Sequence, residues 1–426
     1  MRTLSAPLFT VLALLPAAPA VAQTVAPVRD LARAERPALV ETLRELVSIE
    51  SGSRDIEGLD RIADVVAARL RALGGEVELV APSDVYRMTD TPERIGRIVV
   101  GRFRGTGTRR ILLLAHMDTV YERGSLARQP FRVDGERAYG LGIADDKHGV
   151  ALILHTLALL RALDFRDYGT ITVAINADEE VSSPGSRDLL TRLGAEHDVV
   201  FSCEGAGPDD RIVLTTAGIG AVRLEVTGRA SHAGAAPEQG RNALYEMAHQ
   251  ILRMRDLSDP ATGRKLNWTV ASAGTTRNVI PDRAVATADV RVLRVEDYAA
   301  IERAVRERVT SRLIPGTGVE ATFERRRPPL EATPAARQVA AHAQTIYREL
   351  GRRLAVVDVA GGGGTDAAFA ALGTDAPVLE GLGLRGFGAH STEAEYVDLG
   401  SVEPRLYLLA RLIMDVSHDA IEVTSP

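Results

Sequence analysis

Four short strings hold most of the residues in this chain that could do chemistry. His116 and Asp118 form one, Asp145 and Asp146 another, Glu179 and Glu180 a third, and Glu204 stands alone. Gathering so many carboxylates at one point is costly unless a cation neutralises them. Imidazole and carboxylate are ordinary donors to a divalent metal, and two ions suit an excess of carboxylates over histidines. Taken singly, each string also reads as plain structure: a polar loop edge, a turn or helix cap, a solvated acidic loop. Their placement is what favours a metal.

Ile111 to Ala115 is a continuous apolar run of the kind found in a buried parallel strand. Thr170 to Asn176 and Val199 to Cys203 are two more strand-like segments, and helical patterns cover Gly149 to Leu163 and Ser186 to Leu193. This β-α-β-α-β order predicts a parallel sheet with helices on its faces. His116, Glu179 and Glu204 then each follow a strand, at the carboxyl edge where an open α/β sheet places its ligand crevice. Asp145 and Asp146 sit in a Gly-rich loop ahead of the Gly149 helix. Two earlier helices are expected over Pro37 to Ile49 and Leu59 to Leu73, the second stopping at Gly74-Gly75.

After Thr216 the pattern changes. Strands over Gly220 to Thr227, Trp268 to Ala273 and Ala284 to Arg291 alternate with helices over Asn242 to Met254 and Glu296 to Val309. That is the order of a small open sandwich. It is expected to end near Arg325-Arg326-Arg327-Pro328-Pro329, which reads as a solvated linker. The expectation is an α/β catalytic domain over residues 23–216 and 329–426, with an inserted α+β, ferredoxin-like domain over 217–328.

The chain has 426 residues and a net charge of −6, with 51 Lys+Arg against 57 Asp+Glu, which argues against nucleic-acid binding. Its single cysteine, Cys203, excludes an intrachain disulfide and reads as a small buried hydrophobe. Met1 to Ala22 reads as a cleaved export signal, with Arg2, the apolar Leu8 to Leu15 and an Ala20-Val21-Ala22 site before Gln23. Prolines at 7, 16 and 19 argue against a membrane span there, so a secreted or periplasmic protein is expected. Gly381 to Gly386 matches G-x-G-x-x-G, but no helix opens after it, so a dinucleotide site is not expected. Gly361 to Gly364 lacks the Lys-Ser/Thr of a phosphate loop and could offer backbone amides to an anion.

The strings AHMDTVY, YGLGIADDK, NADEE, GRASHAGAAPE, GGGGTDAA and GFGAHSTEAEYVDL resemble the co-catalytic zinc aminoacylase/carboxypeptidase family. Within it they look most like the bacterial glutamate carboxypeptidases that hydrolyse folates. The resemblance runs in order from about Ala34 to Met414. It implies two Zn2+ per subunit, one on His116, Asp145 and Glu204 and the other on Asp145, Glu180 and His390, with Asp145 bridging. It implies Glu179 as general base, Asp118 as the carboxylate orienting His116, and a cis peptide bond between Asp145 and Asp146. His232 would reach the partner subunit's site in a homodimer built on the inserted domain, and Asn278 and Arg291 would bind the substrate's terminal carboxylate. A planar guanidinium at the end of a strand suits that anion in two-point geometry.

The chain departs from the family at His148, at Ser202 to Gly205 and at Val181 to Pro184, all beside the cleft. His148 is expected to be a neighbour of the ligands or a surface residue, His155 a satisfied core residue, and Trp268 packing. The implied reaction is hydrolysis of the amide bond to a C-terminal amino acid, glutamate foremost, in a small peptide or N-acyl amino acid. An N-acyl-amino-acid amidohydrolase or a dipeptidase would use the same machinery. An exported solute-binding protein would need neither the Glu pair nor a bridging Asp.

Overall fold

A computed structural model describes residues 25–391, 395–421 and 423, so the expected export signal lies outside the described residues. The central sheet has six strands in the spatial order Glu76–Val80, Ile98–Arg104, Thr170–Asn176, Arg110–His116, Val199–Ser202 and Val378–Leu379. The last four run parallel, and the first two form an antiparallel edge that sequence patterning does not disclose. Arg110–His116 is covered on both faces, which is why it reads as an unbroken apolar run rather than an alternating one. Ile111, Leu113 and Ala115 enter one core with the helices Arg36–Val47, Ile56–Ala72, His148–Ala162, Pro334–Glu349 and Val402–Ser417. Leu112 and Leu114 enter another with Arg187–Glu196 and Ala367–Ala371.

A second, antiparallel sheet runs in the order Lys265–Ala273, Arg283–Val292, Gly218–Thr227 and Gly318–Arg327. Its two middle strands alternate between buried and half-buried residues, apart from the exposed Thr227 and Arg283 at their ends. The buried positions Val222, Leu224, Ala286 and Val290 pack with Met247, Tyr298 and Ile301 of the helices Ala243–Arg253 and Glu296–Arg308. Asn242 caps the first of these helices by accepting from the amides of Leu244 and Tyr245.

The segment Arg325 to Arg327 corrects one expectation. It is not a solvated linker but the end of the Gly318–Arg327 strand, paired with Gly218–Thr227. Three adjacent arginines disguise it because each finds its own partner: Arg325 on Glu302, Arg326 on Asp90 and Glu324, Arg327 inside the protein on Glu179.

A small sheet joins two segments that are far apart in the chain. Arg137–Tyr139 pairs with Tyr396–Asp398, so the loop that leads to Asp145 lies against the segment after His390. Among the described residues no helix is long and apolar enough to cross a membrane.

Candidate metal centre

The strand order brings the acidic strings to one end of the central sheet. Arg110–His116 and Thr170–Asn176 are neighbours in register, His116 opposite Asn176, so the loops that follow them emerge together. His116 Nε2 lies 2.9 Å from Asp145 Oδ1 and 3.2 Å from Glu204 Oε1. His390 Nε2 lies 3.2 Å from Asp145 Oδ2 and 3.3 Å from Glu180 Oε2. Asp145 thus turns one oxygen to each histidine, while the donor atoms that lie within 4.8 Å of one another form the groups His116, Asp146, Glu204 and Asp145, Glu180, His390. The Asp145–Asp146 peptide bond is cis. Asp146 is fully buried and offers a further oxygen within reach of His116 and Glu204.

Asp118 ties two of the loops together. Fully buried, it accepts the amides of Glu179 and Glu180, each at 3.1 Å, and the Ser53 hydroxyl at 2.7 Å. His116 Nδ1 lies 3.1 Å from the Asp118 carbonyl, which places the proton on Nδ1 and leaves Nε2 turned toward the carboxylates.

The electrostatics are those of a site built for cations. Burial opposes a charge on His116, yet Glu204, Asp118 and Asp145 together raise its pKa well above the ordinary value. Burial likewise opposes ionisation of Asp145, but hydrogen bonds from His116 and His390 outweigh it and hold the pKa low. Glu180 is pushed up to about 8, first by burial and then by the negative charges of Asp145 and Glu179. Glu180 Oε1 and Asp146 Oδ2 are buried without a hydrogen-bond partner among the described residues. Imidazole and carboxylate donors at these separations, with orphaned oxygens among them, fit divalent metal ions.

Glu179 does not join either triad's histidine contacts. Its carboxylate and its carbonyl both meet the guanidinium of Arg327, and both side chains are almost fully buried. Burial opposes the charge on Arg327, and the attraction of Glu179 more than restores it. Sequence reading places Arg327 in a solvated linker and does not foresee its pairing with Glu179. The register shift between Arg325 and Arg327 accompanies its inward turn, and no local sequence pattern announces that shift.

His232, Asn278 and Arg291 lie in the inserted sheet unit. His232 is exposed, and its Nδ1 accepts from the amides of Gly234 and Ala235, each at 3.1 Å, which leaves Nε2 as the donor. It pairs with Val279 in an isolated bridge, so Asn278 lies beside it. Arg291 holds Asp289 with two nitrogens, at 2.9 and 3.0 Å, and reaches the Gly362 carbonyl at 2.6 Å. That last bond brings it to the glycine run of the larger unit. A cleft of about 830 Å3 opens beside Glu180, lined by Arg54, Ile56, Arg94, Val120, Tyr121 and Val181 among others.

Two further histidines are buried away from the metal contacts, and among the described residues only the first has hydrogen bonds to both ring nitrogens. His155 bridges Thr42 and Glu35 at 2.8 and 2.7 Å. His148 is wholly buried, its Nδ1 3.2 Å from Asp146 Oδ1, and burial first of all drives its pKa down to about 4. Cys203 is buried, and burial pushes its thiol well up, as expected of a packing residue. Trp268 is half-buried and packs against the core of the inserted sheet.

A mostly parallel α/β unit with an acidic, histidine-bearing crevice, joined to a smaller antiparallel unit, defines a metallohydrolase of the exopeptidase type. Residues 112–415 match the model of peptidase family M20/M25/M40, and the chain belongs to that family. It is 46% identical over 384 residues to carboxypeptidase G2 of Pseudomonas sp., covering 90% of each chain. Among solved structures, aminopeptidase PepT from Bacillus cereus superposes with a TM-score of 0.72 at 22% identity, over 89% of this chain and 98% of that one. An M20 family metallo-carboxypeptidase from Sulfolobus solfataricus gives 0.68 at 16%, over 88% and 98%. At these identities the two structures show a common fold.

Proposed function

We propose that this protein is an exported, homodimeric di-zinc carboxypeptidase that releases a C-terminal amino acid, glutamate foremost, from a small peptide or N-acyl amino acid. The observation that carries the reading is that Asp145 turns one carboxylate oxygen to His116, beside Glu204, and the other to His390, beside Glu180. The 46% identity to carboxypeptidase G2 supports the substrate class. The Met1 to Ala22 pattern supports export.

His116, Asp145 and Glu204 would hold one ion, and Asp145, Glu180 and His390 the other. When bound, the ions would polarise the scissile carbonyl and lower the pKa of water toward about 7. Glu179 takes the proton of the attacking water and returns it to the leaving amine. Asp118 keeps His116 in the tautomer that faces the site. His232, with Nδ1 occupied by two amides, has its Nε2–H to give to a developing oxyanion. Arg291 and Asn278 bind the terminal carboxylate; for Arg291 this means exchanging the Asp289 carboxylate for the substrate's. The acyl half of the substrate occupies the cleft beside Glu180.

Dimerisation is supported by the inserted sheet's edge. The Lys265–Ala273 strand is largely exposed, with Val270 63% accessible. Tyr245 and Leu252, at 63% and 62%, stand on the nearby Ala243–Arg253 helix. A long, open edge strand invites pairing with another strand, and a second copy would cover it together with Val270, Tyr245 and Leu252.

The test is a release assay across N-acyl amino acids, their C-terminal amides and dipeptides, read as free amino acid beside metal content. The expected result is two zinc ions and a strong preference for N-acyl-glutamate free acids, which Arg291→Ala largely loses and Arg291→Lys only partly keeps. Turnover confined to dipeptides with a free α-amino group would transfer the protein to the dipeptidase reading.

A further inference from the structure

We propose that Glu395 is a positioning residue for the second metal triad, holding the loop of the bridging Asp145 against the segment that carries His390. The proposal rests on the two-metal reading above. Glu395 is wholly buried and stands directly before the Tyr396–Asp398 strand. Its carbonyl accepts the Gly140 amide at 3.2 Å and Gln129 Nε2 at 3.3 Å. Its carboxylate reaches further along the same loop, Oε2 accepting the Gly142 amide at 3.0 Å and Oε1 the Ala144 amide at 2.9 Å. Gly142 has a φ of 70°, a left-handed conformation that lets the 142 and 144 amides face one anion. The Tyr121 hydroxyl also meets Oε2, and it lies 3.0 Å from the Ser391 carbonyl, next to His390. One buried carboxylate therefore grips the peptide immediately ahead of Asp145 and holds the Tyr121 hydroxyl, which stands beside the backbone next to His390.

Three donors converge on a group that only accepts, so all three are satisfied. Glutamine has the same shape and cannot do this. With its amide nitrogen at Oε1, the Ala144 N–H faces another donor. With the nitrogen at Oε2, the Gly142 N–H does, while Tyr121 can rotate to accept. A buried donor left without an acceptor is costly, so the loop shifts, and Asp145 shifts with it. The Glu180–His390 ion suffers most, because it depends on both of the segments that Glu395 joins. The expected loss is about 10–100-fold in its affinity, the usual effect of removing an outer partner of a metal site.

The test titrates metal-free wild type and Glu395→Gln with Zn2+ against a chromophoric chelator, with Co2+ absorption as a second readout. Unfolding midpoints of the metal-free forms are measured in parallel. Wild type should take two ions. Glu395→Gln should take one as tightly as wild type, or nearly so, and the other about 10–100-fold more weakly, with excess Zn2+ restoring turnover. In a His390→Ala background the same change should leave the remaining ion almost untouched. Should Glu395→Gln fail to fold, Tyr121→Phe decides: selective weakening of one ion supports the proposal, and wild-type affinity for both overturns it. Equal weakening of both ions, or none, in Glu395→Gln also overturns it and leaves the two-metal reading standing. Fewer than two ions on wild type overturns that reading, and this proposal with it.

Discussion

Glu179 and Glu180 are adjacent in the chain and face different chemistry. Glu180 turns its carboxylate to His390, while Glu179 is held by Arg327. Glu179→Gln should therefore retain both metals and lose about 10²–10⁴-fold in turnover, the usual measure of a missing general base. Metal analysis and kinetics on one preparation check this, and near-normal turnover would remove Glu179 from the mechanism. His390 supplies a pH dependence. In the metal-free protein, hydrogen bonds to Asp145 and Glu180 raise its pKa from 6.5 to about 10. The pKa is raised on folding, so the resulting stability is fully present below pH 6.5 and is lost as pH rises through about 10. A metal must displace that proton, so affinity for the second ion should increase with pH across this window. Uptake near neutrality should release protons. Calorimetry in two buffers of different ionisation enthalpy reads the release, and buffer-independent heats would contradict it.

At the scale of elements, the His148–Ala162 helix begins so close to the chain leaving the Val199–Ser202 strand that only glycine fits between them. A Cβ on Gly149 would run into the Asp146 carboxylate and the Cys203 carbonyl. Gly to Ala within a helix ordinarily stabilises by about 1 kcal/mol. Here overpacking costs about 1–3 kcal/mol, and the clash falls on the backbone that carries Glu204. Gly149→Ala should lower the urea midpoint and weaken metal retention; a midpoint at or above wild type would refute the packing argument. The elements that sequence patterning describes well are those with one clear period. Thr170–Asn176 is legible to the residue, and the helix expected over Gly149 to Leu163 is His148–Ala162. Gly318–Arg327 reads in part as linker, because charge conceals alternation when the charged residues are paired.

For the whole molecule, His232 poses the main question. The contacts described for it stay within its own sheet unit: the bridge to Val279 and the amides of Gly234 and Ala235. If it serves a partner's site, the two lesions Glu179→Gln and His232→Ala should complement each other. Mixed and exchanged, the inactive variants should recover activity in heterodimers, one site of which carries neither change, and sedimentation should give about twice the chain mass. No recovery after verified exchange would leave His232 without that role.

The identity of the acidic strings, and their succession after apolar runs, can be read from sequence alone, because side-chain chemistry and strand periodicity are local properties. The same holds for the departure at His148 and for the isolation of Cys203. Arg327 lies 148 residues from Glu179, and Glu395 lies 253 from Gly142, so no local pattern links either pair. Their meeting depends on which strands pair and in what register. That is decided by burial of two apolar cores and by the need of every buried donor for an acceptor, which only the folded chain resolves.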